Sequence, residues 1–339
     1  MKAGSVRTLN GSIQIRQGEV NRWSTRKIFS CLLLGGVVMT TGTGTQSGEF
    51  VLPNHEVERL VIPSVEAGFE YEVLLGGPPP GLIEPSQPIP LLVVLDGYLT
   101  GLSAIEIARL MMAVGEIEPI AIAAVSPNGG FEVGNTRRLR DFSSDAEIDL
   151  ATHPYMKNFL PRFEAMGVEP KDAVGGSDAF RRFLVNELLP AVGARSPIDR
   201  ERLGLFGHSA GGSFLIEALL EGDTPFSDYL IGEAGTFLLL GTDEALLAKG
   251  LANRPLPAQR AFYADSSDTR KAAPEMIEQS RAIVRRINEE VGVPVTMVSY
   301  ENETHTTMMP GFIKDGLLFL YGTGKTYGDS MRSLLNPDS

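Results

Sequence analysis

A serine flanked by glycines stands between a strand-like and a helix-like segment of this chain. Gly207–Gly211 reads Gly-His-Ser-Ala-Gly, which fits G-x-S-x-G, and LGLF before it and GSFL after it supply the strand and the helix that this motif requires. In this setting the serine occupies a sharp, strained turn that exposes its hydroxyl above the sheet. The sequence therefore predicts Ser209 as a nucleophile and the backbone N–H of Ala210 as one donor of an oxyanion hole.

A serine hydroxyl needs a neighbouring base, and only one of the four histidines follows Ser209 in the chain. His305 lies in the loop ENETHTTMM, after the strand-like run VTMVSY and before an apolar helical run. The order serine, acid, histidine is the one that suits this motif, so His305 is the predicted general base. His55 precedes the sheet, His153 lies in an irregular segment, and His208 is expected to point away from the nucleophile beside it.

A carboxylate must orient the base, and the candidates follow the strand-like run RAFYAD. They are Asp265, Asp268 and, further along, Glu275. A position a few residues beyond the end of the strand favours Asp268 as the acid, with Asp265 as the alternative. Aspartate and serine in such a loop are also ordinary turn formers, so a purely structural role stays open for both.

The second oxyanion donor is expected from the loop that follows the apolar run LLVVL. This loop begins Asp96-Gly97-Tyr98, and the backbone N–H of Tyr98 is the candidate donor. Asp96 is expected to brace the loop rather than take part in the chemistry.

The segments that must position these residues alternate between strand and helix patterns from residue 56 onward. Short apolar runs such as Leu91–Leu95 and Pro119–Pro127 are typical of strands buried on both faces, as in a parallel sheet. We therefore predict an α/β fold with a mostly parallel twisted sheet and helices on both faces. The polar, aromatic-rich segment from about 128 to 174, here called the lid segment, breaks this rhythm and is predicted to be a lid insertion.

The first 48 residues differ from the predicted catalytic domain at 49–339. Basic residues, among them Arg26 and Lys27, precede the apolar run Ile28–Met39 and a tail of small residues, which is the layout of a secretory signal peptide. This interpretation predicts an exported protein, periplasmic or secreted, without an integral span in the mature chain, because the run is short for a membrane helix. A disordered or anchoring leader on a cytoplasmic protein is the alternative.

Charge and cysteine content exclude several classes of partner and site. The formal net charge of −12 argues against nucleic acid as a partner. The single cysteine, Cys31, excludes a disulfide within the chain and a metal cluster built on cysteines. The predicted mechanism needs no cofactor and no metal, and the expected partner is a small-molecule ester. The sequence leaves the oligomeric state open.

Three stretches resemble the putative-esterase family of α/β-hydrolases, which includes siderophore esterases, feruloyl esterases, S-formylglutathione hydrolase and mycolyltransferases. They are LLVVLDGY, RRLRDFSS, and the pair GGSDAFRRFLVNELLPAV and RERLGLFGHSAGGSFLIEALL, within a likeness spanning Glu56 to Gly322. The resemblance implies the α/β-hydrolase fold and adds support for Ser209 and His305, and for Asp268 and Tyr98.

Departures from that family bear on the substrate. Members similar to siderophore esterases carry Ser-Pro-Ser and a Trp pair after the strand that follows the nucleophile, where this chain reads GEAGTF. The chain has one tryptophan, Trp23, in the leader, and this difference weakens the case for a siderophore substrate. The arginines of the RRLR stretch are candidates to hold a substrate carboxylate, with intramolecular ion pairing as the alternative.

Three functions from different classes therefore remain. The leading prediction is a serine carboxylic-ester hydrolase that works through an acyl-enzyme on Ser209. An acyltransferase with the same triad would differ only in the acceptor of the acyl group. A non-catalytic binding module on a hydrolase scaffold is disfavoured because both the nucleophile and the histidine are present.

Overall fold

A computed structural model describes residues 57–84, 86–144, 149–152, 156–169, 172–235, 243–258, 260–329 and 332. The predicted leader with Cys31, the histidines His55 and His153, and Thr236 and Phe237 of the GEAGTF stretch lie outside the described residues. No helix in the described ranges is long and apolar enough to cross a membrane.

One eight-stranded sheet runs through the described residues in the order β1-β2-β4-β3-β5-β6-β7-β8. The strands are β1 Val57–Pro63, β2 Glu70–Gly76, β3 Ile89–Leu95, β4 Ala121–Pro127, β5 Ile198–His208, β6 Asp228–Gly232, β7 Arg260–Ser266 and β8 Val295–Tyr300. Strand β2 pairs antiparallel with β1 and β4, and every pair from β4 to β8 is parallel. The predicted mostly parallel sheet is confirmed, and each strand-like run of the sequence forms a strand.

Helices cover both faces of this sheet. They are α1 Gly97–Ala113, α2 Gly130–Asp141, α3 Leu160–Ala165, α4 Ser177–Phe183, α5 Leu189–Gly193, α6 Ala210–Glu221, α7 Asp243–Ala252, α8 Ser267–Ala272, α9 Pro274–Arg286 and α10 Met309–Tyr321. Alternate residues of β3 enter different cores: Leu91 and Val93 pack in one cluster, and Leu92 and Val94 pack in the other. The continuous apolar run of β3 thus follows from burial on both faces.

The lid segment begins with a helix that belongs to the body of the fold. Helix α2 buries Leu139 in the larger core cluster and contacts β4 and α6. Its residues Asn135 and Arg138 line the cavity that contains Ser209. The described remainder of the segment holds a 3-10 turn at Met156–Phe159 and the short helix α3, without a strand. A lid function for this remainder stays a prediction.

Candidate active site

Ser209 occupies a strained turn between β5 and α6. Its backbone has φ 60° and ψ −123°, a conformation that costs a non-glycine residue about 1–3 kcal/mol. The turn is held by the Ser209 N–H, which donates to the Gly232 carbonyl at 2.8 Å. Glycine at 207 is required because a Cβ there would lie 2.5 Å from the Gly211 carbonyl oxygen. The G-x-S-x-G pattern therefore reflects the steric limits of this turn.

Ser209 and His305 line one cavity of about 410 Å³ at the carboxyl ends of the parallel strands. The wall is completed by residues of three helices and of the strand ends: Leu95, Asp96, Leu99, Thr100, Ser103, Asn135, Arg138, Phe206, His208, Thr306, Met309, Pro310 and Ile313. Within the described residues, no hydrogen bond joins the Ser209 hydroxyl to His305. Catalytic hydrogen bonds are often long in unliganded enzymes and shorten when substrate binds.

A buried carboxylate contacts the imidazole of His305. The Nδ1 atom of His305 hydrogen-bonds Oε2 of Glu233, whose side chain is fully buried while that of His305 is 44% exposed. Glu233 also accepts from the Ser266 N–H at 2.6 Å and from the Thr269 hydroxyl at 2.9 Å. Burial by itself raises the pKa of Glu233, but the hydrogen bonds from His305 and Ser266 hold that pKa below its usual value. Glu233 is therefore an anion fixed beside the predicted base.

The assignment of Asp268 as the acid does not fit this geometry. Asp268 is exposed in the first turn of α8, where its N–H donates to the Glu303 carbonyl, while the carboxylate at His305 is that of Glu233. The alternative Asp265 is buried and binds Arg281 through both oxygens, at 2.7 and 3.1 Å. The acid was predicted after β7, whereas Glu233 directly follows β6. The sequence feature that could have identified Glu233 is a glutamate at the end of the strand-like run DYLIGEA.

The expectation that His208 points away from Ser209 is wrong, because His208 lines the cavity that contains Ser209. Its ring lies 4.3 Å from the ring of His305, and its Nε2 is 3.9 Å from Oε2 of Glu233. Burial, together with the nearby His305 and Arg138, lowers the pKa of His208 to about 3, so the ring is neutral. Gly232 makes room for this ring, because a Cβ there would lie 2.8 Å from Cδ2 of His208.

A buried ion pair joins the loop after β3 to helix α2. Arg138 donates to both oxygens of Asp96 at 2.7 Å, and the two side chains are only 8% and 7% exposed. Arg138 also donates to the carbonyl oxygen of His208 at 3.5 Å, next to Ser209. Asp96, with φ 55°, thus braces the loop as expected. For Arg138 the structure therefore shows the intramolecular ion pair that the sequence left as the alternative to binding a substrate carboxylate.

The other two arginines of the RRLR stretch lie at a different surface. The guanidinium groups of Arg137 and Arg140 lie over the ring of Phe69, at 4.8 and 5.5 Å from its centre. They line a separate pocket with residues such as Val168. A role for them at the Ser209 cavity is therefore not supported.

Two helices begin at the positions named as oxyanion donors. Ala210 is the first residue of α6 and Tyr98 the second residue of α1. These helices follow β5 and β3, which are adjacent parallel strands, so both helix N-termini lie at the same edge of the sheet. N–H groups at helix N-termini favour developing negative charge. The ring of Tyr98 packs edge-on against Phe131, at 5.7 Å between ring centres.

Two curated proteins similar to this chain are named as esterases. The ferri-bacillibactin esterase BesA of Bacillus subtilis is 25% identical over 288 residues, which cover 81% of this chain and 92% of the relative. An apo-salmochelin esterase of Escherichia coli is 26% identical over 257 residues, 73% of this chain and 74% of the relative. Among solved structures, the BES protein of Bacillus cereus superimposes with a TM-score of 0.60 at 20% identity, covering 83% of this chain and 99% of that one. No family model matches the chain.

The structural likeness agrees with the predicted fold. The predicted α/β-hydrolase fold and the resemblance to esterases of that superfamily are confirmed. The prediction of a carboxylic-ester hydrolase is confirmed at the level of enzyme class.

Proposed function

We propose that this chain hydrolyses carboxylic esters through an acyl-enzyme on Ser209. His305 acts as general base and acid, Glu233 orients it, and the N–H groups of Ala210 and Tyr98 hold the oxyanion. The observation that carries the proposal is the buried Glu233 carboxylate on Nδ1 of His305, in the cavity that also contains the strained Ser209. Nothing in the comparisons supports the acyltransferase alternative.

The reaction follows from the roles of these groups. Nε2 of His305 takes the proton of the Ser209 hydroxyl while Oγ attacks the ester carbonyl carbon. The oxyanion accepts hydrogen bonds from the two backbone N–H groups, and its collapse breaks the ester C–O bond. The departing alkoxide receives the proton from His305 and leaves as the alcohol. Water then loses a proton to His305, attacks the acyl carbon, and releases the acid and the free serine.

Glu233 acts on His305 in two ways: its hydrogen bond selects the tautomer of the ring, and its charge stabilises the protonated ring. Its carboxylate accepts the Nδ1 proton, which leaves Nε2 as the atom that meets Ser209. When His305 becomes positively charged during the reaction, the fixed anion stabilises that charge without reorganising. The anchors at Ser266 and Thr269 keep the carboxylate in place during this change.

The cavity lining bears on the ester that fits. Its lining includes the apolar side chains of Phe206, Met309 and Ile313, and also a hydroxyl group from Ser103 and an amide group from Asn135. Such a lining fits a substrate that presents both apolar and hydrogen-bonding groups. The two curated relatives are named for bacillibactin and salmochelin, so esters of that kind belong in the substrate panel.

A fluorophosphonate probe and a panel of esters test the proposal. The wild-type protein should be labelled once and should hydrolyse at least one ester class, and Ser209→Ala should lose the label and at least 10³-fold in kcat/KM. Added alcohols should leave the yield of free acid unchanged if water is the acceptor. Full ester hydrolysis by Ser209→Ala would contradict the assignment. Export by the leader remains our proposal for localisation, and detection of the mature protein outside the cytoplasm tests it.

A further inference from the structure

We propose that His208, Glu233 and His305 form a site for one zinc ion, and that the bound metal blocks the esterase. Each residue offers one ligand atom, and these three atoms lie within 4.8 Å of one another. The site itself is independent of the reaction, whereas the blocking effect rests on the proposed function.

The donor set is one that zinc prefers. Two imidazole nitrogens and one carboxylate oxygen match zinc sites that keep a fourth position open for water. Magnesium and calcium prefer sites made of oxygen ligands, so neither should compete well here. Arg138 lines the same cavity, and its positive charge is balanced there by the carboxylate of Asp96.

His208 is the ligand that catalysis does not use. Its Nε2 is buried and has no hydrogen-bond partner within the described part of the chain, although it lies 3.9 Å from Oε2 of Glu233. A buried nitrogen without a partner is unfavourable, and coordination to a metal would satisfy it. The proposed triad gives this nitrogen no role, so its direction toward Glu233 needs a separate explanation.

The geometry can reach tetrahedral coordination with a small movement. Zinc bonds of about 2.0–2.2 Å place neighbouring ligand atoms roughly 3.3 Å apart. The separation of 3.9 Å between His208 and Glu233 is already close to that value. The hydrogen bond between His305 and Glu233 must open, and His305 is free to shift because its side chain is 44% exposed in the loop between β8 and α10. Glu233, anchored by Ser266 and Thr269, is the fixed ligand.

Metal binding would disable the base. Once Nδ1 of His305 coordinates zinc, it no longer donates its proton to Glu233, and the positive metal opposes protonation of Nε2. His305 then cannot accept the Ser209 proton. The expected consequence is reversible inhibition that a chelator relieves.

Calorimetric titration of zinc chloride into the full-length Ser209→Ala protein tests binding without catalysis. We expect one high-affinity ion per chain. Adding His208→Gln should weaken zinc binding at least tenfold, whereas the control Asp268→Asn, at an exposed carboxylate, should change it by no more than twofold. Magnesium chloride should give no binding. Cobalt in place of zinc should give the intense visible bands of a tetrahedral site, which the His208 substitution should remove.

A second variant and an activity assay complete the test. If His208→Gln fails to fold by circular dichroism, Glu233→Gln in the Ser209→Ala background replaces it and should weaken zinc binding at least tenfold. Zinc should lower the esterase rate of the wild type, and a chelator should restore it. Absence of binding, or binding unchanged in these ligand variants, overturns the site, and undiminished activity of the zinc-loaded enzyme overturns the blocking effect. Ester hydrolysis retained by Ser209→Ala would overturn only the proposed function, because the binding experiment does not depend on it.

Discussion

Glu233→Gln is the substitution that most directly tests the triad. The amide keeps the size of the side chain and can still accept from the Ser266 N–H, which lies 2.6 Å from Oε1 in the native protein. It removes the negative charge beside Nδ1 of His305. The substitution therefore separates the charge from the packing of this buried group.

The magnitude follows from the distance between the charges. An imidazolium and a carboxylate about 4 Å apart attract each other by about 4 kcal/mol at an effective dielectric constant of about 20. Since about 1.4 kcal/mol is worth a factor of ten, this corresponds to roughly 10³ in rate. Because His305 is 44% exposed, solvent screening reduces the effect, and we expect kcat/KM to fall about 10²–10³-fold.

Steady-state hydrolysis of an activated aryl ester measures this loss. Asp268→Asn is the matched control, because its side chain is exposed and it should retain kcat/KM within about twofold. Thermal unfolding of both variants shows whether either one is misfolded. A loss below threefold for Glu233→Gln, combined with a large loss for Asp268→Asn, would refute the assignment and restore the acid predicted from the sequence.

Three further outcomes follow from the buried and strained groups. In urea denaturation, the free energy of unfolding of Ser209→Gly should exceed that of Ser209→Ala by about 1 kcal/mol, because glycine adopts φ 60° without the steric penalty that alanine has. Equal free energies of unfolding would show that the turn is unstrained. Arg138→Met should lower the free energy of unfolding by about 3–5 kcal/mol, since it leaves the Asp96 carboxylate buried without its partner, and adding Asp96→Asn should recover part of that loss. Burial raises the pKa of Asp141 from 3.8 to about 7, so ionisation of Asp141 destabilises the folded state progressively between about pH 4 and pH 7. Asp141→Asn should therefore raise stability at pH 8 by about 1–4 kcal/mol and have little effect at pH 4, and a gain equal at both values would contradict this reasoning.

Local pattern in the sequence was sufficient for the strands and for the strained turn at Ser209. Successive residues of β3 and of β4 point to opposite faces of the sheet and enter different core clusters. An unbroken apolar run therefore indicates a strand that is buried on both faces. The motif at Ser209 is equally local, since Gly207 and Gly211 are neighbours whose atoms would collide if Gly207 carried a Cβ. The position of His305 in the Ser209 cavity was also predicted, because it is the only histidine that follows Ser209 in the chain.

The partners of these residues were decided by tertiary structure. Glu233 lies 72 positions before His305 in the chain, and Arg138 lies 42 positions after Asp96. Which carboxylate contacts His305 depends on which strand ends lie near it. The strand order places the end of β6, which Glu233 follows, between the ends of β5 and β7. The direction of the His208 ring likewise depends on the space that Gly232 leaves on the neighbouring strand. Spacing along the chain carries no information on such contacts, because they form only when separate strands, helices and loops of the fold come together.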